Sequence, residues 1–357
     1  MRNKEEIREV LDYFQTMDDK ELKFDEEAIL TAYQKKEDHQ SLAIKILSIF
    51  GGISAGLVFL GALFITGIYD SDSGLLAFGV LAIIGGVFIS KFFDKLIIDT
   101  ISVSSYIIGF ILLGVGMFKM EASENTVCFL FILIAIASLL IVRSYIISFI
   151  SVLIMNGSIV ALLLFNNNFV GIQMYTCVLA IMVTVVFLKE AEIISIHPAF
   201  SKLYNPVRIG LIFSFLAGLV LLNKSDIPDI SINYLWISSA VIILTILYVL
   251  SYLFEVLNIS QTKQKAGIYI VSTVILLSTL LSPGVSGALL IILLSFLVNY
   301  KTSFVIGIIA FICFISQYYY DLHFTLLTKS IFLFSSGVLF LGLYLLTHKK
   351  LTSNEKV

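Results

Sequence analysis

The chain has 357 residues, of which 59% are hydrophobic and only 13% charged, with a mean hydropathy of +1.00 and a formal net charge of -2. Soluble domains carry roughly 25% charged residues, so this balance excludes both a soluble multidomain enzyme and a disordered chain. No basic stripe runs through the sequence to track a phosphate backbone, which argues against nucleic acid as a partner.

Residues 1–40 hold seven Lys/Arg and twelve Asp/Glu, a net of -5, and the rest of the chain is close to neutral. This charged segment lacks the short apolar core and small-residue cleavage site of a signal peptide. Ile7, Val10, Leu11 and Phe14 recur at i, i+3, i+4 and i+7, the spacing of one helix face. Asp25 is placed to cap a second helix carrying Ala28, Leu30 and Tyr33. Residues 1–43 therefore read as a short acidic helical segment, which either folds back on the rest of the protein or docks a cytoplasmic partner.

A helix crosses a bilayer with ~20 apolar residues. Apolar runs of about that length lie near 44–68, 73–91, 97–118, 125–143, 145–165, 170–188, 206–223, 234–256, 267–282, 284–299, 303–319 and 326–347. The expected architecture is all-α, a polytopic transmembrane helix bundle over residues 44–347 with a polar tail at 348–357. Pro283-Gly284 interrupts the continuous apolar stretch 267–299, because a proline inside a helix removes a backbone hydrogen bond. That stretch is either two spans, for about twelve in all, or one re-entrant hairpin added to ten. The polar segment near 189–205, with Glu190, Glu192, His197 and Pro198, reads as the longest internal loop.

Basic residues alternate between the gaps. With the N-terminus in the cytoplasm, fifteen Lys/Arg from Lys35 onward flank the inner ends of the spans and only Lys119, Lys224 and Lys329 lie on the outer side. This is the bias that orients short loops, and it predicts that both termini are cytoplasmic. Gly52 and Gly56, Gly85-Gly86, and Gly109 with Gly114 and Gly116 mark faces where helices can approach closely. No Walker motif accompanies them.

Cys128, Cys177 and Cys313 sit apart inside apolar runs, and His39, His197, His323 and His348 are mutually distant in sequence. No metal spacing, catalytic constellation or cofactor motif is present, so the expectation is a protein without cofactors and without enzymatic activity. The polar positions worth following are few, because charge in hydrocarbon costs at least ~2.5–3.5 kcal/mol on insertion scales. Asp99 and Glu255 lie near inner span ends, Asn156 near the centre of the fifth run, and Pro283 at the helix break. Asp321 and Lys329 flank the last outer turn, and Lys329 runs against the charge bias, so an Asp321–Lys329 ion pair joining the last two spans is expected.

The stretch Tyr318-Tyr319-Tyr320-Asp321, followed by Thr325-Leu326-Leu327, Lys329-Ser330 and Gly337, resembles the C-terminal signature of the bacterial membrane family named domain of unknown function 4401. Leu47 to Gly52 and the Ser282-Pro283-Gly284-Val285 break are similar to that family as well. The resemblance extends over nearly the whole chain. It implies a multi-pass protein of the bacterial inner (plasma) membrane, and it supplies no catalytic residues. Two functions are left: a small-solute or ion transporter, or a membrane scaffold that binds a cytoplasmic partner through residues 1–40. A cavity at mid-membrane depth lined by Asn156, Gln173 or Ser286 would favour the first; a solid apolar bundle would favour the second.

Overall fold

The computed structural model describes residues 51, 54, 56, 58–63, 65–67, 70–92, 96–142, 144–223, 235–257, 261–277, 279–280, 282–321 and 341, with the backbone alone at 96–99, 198–199, 235 and 321. The described residues form an all-α protein that divides into two compact units, Met1–Leu113 and Gly114–Val357. The acidic segment 1–43, the tail 348–357, Lys329 and most of the first and last expected spans lie outside the described residues.

The first unit contains helical backbone at 58–63, helix α1 (Asp72–Phe92) and the start of helix α2 (Leu96–Lys119). Glycine lets α1 and α2 touch backbone to backbone. A Cβ on Gly79 would lie 2.8 Å from the Leu113 nitrogen, and one on Gly109 would lie 2.8 Å from the Gly79 oxygen. The Ser102 hydroxyl donates to the Gly86 carbonyl and the Ser105 hydroxyl to that of Ala82, at 2.5 and 2.9 Å. Such contacts supply dispersion and hydrogen bonding where lipid removes the hydrophobic drive between helices. Gly109→Val is therefore expected to cost about 1–3 kcal/mol through overpacking. Gly85→Ala, where the added carbon meets nothing within 4 Å, is expected to be near neutral. Melting curves of the purified protein in detergent check both, and equal losses would refute the close approach.

The second unit runs through α3 (Glu124–Ile141), α4 (Tyr145–Phe165), α5 (Phe169–Leu188), the short α6 (Glu190–Ile196), α7 (Pro198–Leu222), α8 (Leu235–Val256), α9 (Thr262–Leu277), α10 (Pro283–Leu297) and α11 (Lys301–Asp321). Its helices start and stop on local signals. Ser123 and Asn168 cap α3 and α5 through side-chain oxygens that accept from Thr126 N and Gly171 N. Asn167 and Asn299, at φ 52° and 53°, reverse the chain after α4 and α10, in a left-handed conformation that asparagine tolerates better than most residues.

Helix α10 is the hub: it packs against α5, α7, α8 and α11, and Ala288, Leu290, Ile291 and Leu294 are fully buried within the main hydrophobic cluster. Around the outside, large apolar side chains such as Leu140, Leu244, Val274 and Phe296 are exposed. Among the described residues, eight helices are long and apolar enough to cross a membrane. The chain is accordingly a multi-pass membrane protein whose exposed apolar surface meets lipid.

One expectation is corrected. The segment 189–205 is helical rather than a loop, formed by α6 and the first turns of α7. Pro198 opens α7 instead of lying in a loop, because a first-turn position needs no backbone N–H donor. Pro206 is carried inside the same helix. Arg208 therefore stands well within α7, not beside the start of a span.

Candidate functional site

Two places in the second unit depart from a plain apolar bundle. The first is the break between α9 and α10, helices of 16 and 15 residues. At 1.5 Å per residue they reach about 24 and about 22 Å, short of the ~30 Å hydrocarbon core. Helix α9 starts, and α10 ends, at the end of the unit that carries Lys189, Lys202, Lys263, Lys265 and Lys301, here the basic end. The two are thus the arms of a hairpin open at that end. Its tip stops inside the bundle: a Cβ on Gly284 would lie 2.5 Å from Cδ1 of Phe314, and Phe314 lies about two turns before the end of α11.

The start of α10 at this tip is rich in small residues. Pro283, Gly284, Val285, Ser286 and Gly287 are all buried. Ser282 is 2% exposed, occupies the position that should cap α10, and makes no cap bond. Its hydroxyl has no hydrogen-bond partner. Ser286, by contrast, donates to the Pro283 carbonyl at 3.1 Å. The N-terminus of α10, with its partial positive charge, therefore ends among buried groups beside an unused hydroxyl.

Elsewhere the interior holds many neutral polar side chains. Thr176, Thr184 and Ser214 return their hydroxyl protons to the carbonyl four residues earlier, at 2.8–2.9 Å, which lets them sit in an apolar surround. Asn156 is buried, donates to the Val152 carbonyl and accepts from the Tyr175 hydroxyl, each at 2.8 Å. This joins α4 to α5 by a polar contact inside the bundle, a type worth ~0.6 kcal/mol on average and up to about 1.7 in a membrane protein. Tyr175→Phe is expected to destabilise within that range, and a double-mutant cycle with Asn156→Leu should return a coupling of similar size. A coupling of zero would show that the two side chains act independently.

The second place is Arg208, 3% exposed, at the basic end. Its guanidinium lies 3.6 Å from the ring centre of Tyr300, 4.8 Å from that of Tyr204 and 5.4 Å from that of Phe187. Nη1 donates to Glu190 Oε2 at 3.1 Å, and Nη2 to Asn205 Oδ1 at 2.7 Å. Nε has no partner. Four elements build this cluster: the end of α5, helix α6, the body of α7 and the residue before α11. The neighbouring Lys189–Glu192 pair is exposed, and the hydrogen-bonded Glu192 carboxylate raises the Lys189 ammonium above its usual range. Surface pairs of that kind contribute little.

Of the residues singled out from sequence, Asn156 and Pro283 are buried in the second unit, and Glu255 is exposed in the last turn of α8. Asp99 belongs to α2 and Asp321 ends α11 by backbone. The expected Asp321–Lys329 pair lies outside the described residues. A cavity of ≈ 330 Å³ between α8, α9, α10 and α11 is lined by apolar residues and Ser272, and none of Asn156, Gln173 or Ser286 borders it. In the first unit a recess of ≈ 470 Å³ opens onto Phe59, Phe78, Leu81 and Ile101, and its two serines, Ser104 and Ser105, donate to backbone carbonyls. Among the described residues no three His, Cys, Asp or Glu side chains gather in a group able to hold a metal.

Sequence reading passed over Arg208 and Ser282. Arg208 was legible only as one of many inner cations, although Tyr204 and Asn205 stand four and three residues before it, on the same helix face.

A family model described as a domain of unknown function (DUF4401) matches residues 41–350. No curated protein and no solved structure matches the chain.

Proposed function

We infer that this chain, which belongs to the family described as a domain of unknown function (DUF4401), is a transporter of a small solute or ion in the bacterial inner membrane. The reading assigns it ten spans and one re-entrant hairpin, both termini in the cytoplasm, and no catalytic step. The basic end of the second unit is then the cytoplasmic one, as the positive-inside bias requires.

Asn156, Gln173 and Ser286 border neither of the described cavities, so the observation that carries the reading is instead the short central helix α10, which starts inside the bundle at the Pro283 break. A packed scaffold has no need of a central helix that begins inside the bundle. Transporters use such interrupted helices, because their ends present unpaired backbone groups and a dipole to a solute near the midplane. Here the interrupted end carries the unpartnered Ser282 hydroxyl. Buried hydroxyls without partners also occur at Ser239 toward the far end of α8 and at Ser148, Ser295 and Ser303 toward the basic end. Buried polar atoms left unpaired by protein are commonly served by water.

Metabolite and ion profiles of cells that lack or overproduce the protein identify the solute, and uptake of that compound by liposomes holding the purified protein tests the reading. Ser282→Ala is expected to lower uptake severalfold while leaving the melting temperature within the small change typical of removing an unpaired hydroxyl. If no compound distinguishes the cells, and residues 1–40 instead retain a cytoplasmic protein, the chain is a scaffold. Unchanged uptake in Ser282→Ala removes the hairpin tip from the path.

A further inference from the structure

We propose that Arg208 anchors a binding site for small oxyanions, carboxylates or phosphates, at the basic end of the second unit, and that the Glu190 carboxylate is the internal counter-charge with which such an oxyanion competes for the guanidinium. The proposal goes beyond the transport reading, because binding requires no translocation.

A guanidinium stays charged under all ordinary conditions, so burying it demands compensation. Three aromatic rings supply part of that compensation, with Tyr300 closest at 3.6 Å. The five N–H donors make three hydrogen bonds, two from Nη1, to Glu190 and at 3.5 Å to the Tyr204 hydroxyl, and one from Nη2 to Asn205. On the edge where Nε–H and Nη2–H run parallel, Asn205 takes Nη2 and nothing takes Nε. That edge is the fork which a carboxylate or phosphate grips with two oxygens. Glu190 reaches the guanidinium elsewhere, through one oxygen on Nη1 at 3.1 Å. Its side chain is 35% exposed and belongs to a helix of only seven residues. The anion that neutralises Arg208 is therefore held by a single bond on the wetted side of the site, while the two-pronged edge is left incomplete.

Two further unpartnered hydroxyls lie close in sequence to Tyr300. Ser295 and Ser303 flank Tyr300 in the α10–α11 turn and are fully buried, and neither hydroxyl has a partner. The Tyr300 amide donates to the Ser295 carbonyl at 2.9 Å, which keeps that serine beside the residue stacked on Arg208. An incoming oxyanion supplies what the fork lacks: an acceptor oxygen for Nε, on an anion that can grip both prongs. A cationic ligand would be repelled by the guanidinium, and a neutral one would lack the charge to compete with Glu190.

The test uses the full-length protein in detergent, titrated with sodium acetate, succinate or phosphate against sodium chloride at matched ionic strength, with the melting temperature as readout. Short-chain phosphatidylglycerol forms a further arm that separates a lipid phosphate from a free one. Glu190→Gln removes the internal competitor, so its midpoint for at least one oxyanion should fall about tenfold or more below that of the unaltered protein. Arg208→Lys, which keeps the charge and loses the fork, should respond to oxyanions no more than to chloride. If Glu190→Gln does not survive purification, Asn205→Ala opens the same edge with the ion pair intact and should likewise respond at lower concentration than the unaltered protein. The proposal is overturned if the surviving variant cannot distinguish oxyanions from chloride, or if Arg208→Lys responds as the unaltered protein does. Oxyanion binding without uptake into liposomes would uphold this site and refute the transport reading; uptake of a solute without oxyanion binding would do the reverse.

Discussion

Glu190→Ala should destabilise the protein more than Arg208→Met, although both break the same ion pair. Removing Glu190 leaves a guanidinium that is 3% exposed without its counter-charge. Breaking a buried pair in this way typically costs 3–5 kcal/mol, and the partial exposure of Glu190 puts the expectation near ~3 kcal/mol. Removing Arg208 instead leaves a carboxylate that water already reaches, and methionine keeps an apolar chain beside Phe187, Tyr204 and Tyr300. Its expected cost is therefore about 1 kcal/mol, and a buried ion pair replaced by apolar groups is often close to neutral. Thermal unfolding in chloride buffer compares the two directly. Equal losses would mean that Glu190 acts through packing of α6 and not through its charge.

At the hairpin tip the expected loss is of similar size but has a steric cause. A side chain on Gly284 must displace the Phe314 ring, since its Cβ alone would stand 2.5, 2.8 and 2.9 Å from three ring atoms. Phe314 is itself buried in the main cluster, so the ring has no free volume to enter. Gly284→Leu is expected to cost at least about 3 kcal/mol, at the top of the range for overpacking. Phe314→Ala alone should cost ~3–5 kcal/mol by leaving a cavity. Combined, the two changes exchange volume across one contact, and the double variant should recover 1 kcal/mol or more relative to the sum. Strict additivity would show that α10 and α11 do not meet as described.

The sequence announces its helices because a bilayer imposes one length on every span. The runs read at 73–91, 145–165 and 170–188 appear as Asp72–Phe92, Tyr145–Phe165 and Phe169–Leu188. That agreement breaks down where a polar surface lies against a helix. The segment 189–205 reads as a loop because Glu190, Glu192, His197 and Pro198 interrupt its hydropathy, yet it folds as α6 and the beginning of α7. Misplacing the start of α7 hid Arg208, since an arginine beside a span needs no explanation and one inside a helix does. The aromatic cage was equally out of view. Phe187, Tyr204 and Tyr300 come from three separate stretches of chain, and no local pattern joins them.

By itself the sequence determined class, helix-forming segments and the existence of a break at Pro283, because these follow from residue-by-residue preferences for lipid, water and backbone geometry. It left open whether 267–299 forms two spans or a hairpin, since either choice keeps the same alternation of charge. Only tertiary structure decided how deep the tip at Gly284 lies, through its contact with Phe314, and which buried polar atoms find partners. Depth and pairing depend on neighbours distant in sequence. For that reason Ser282 and Nε of Arg208 stand out only once the helices are packed.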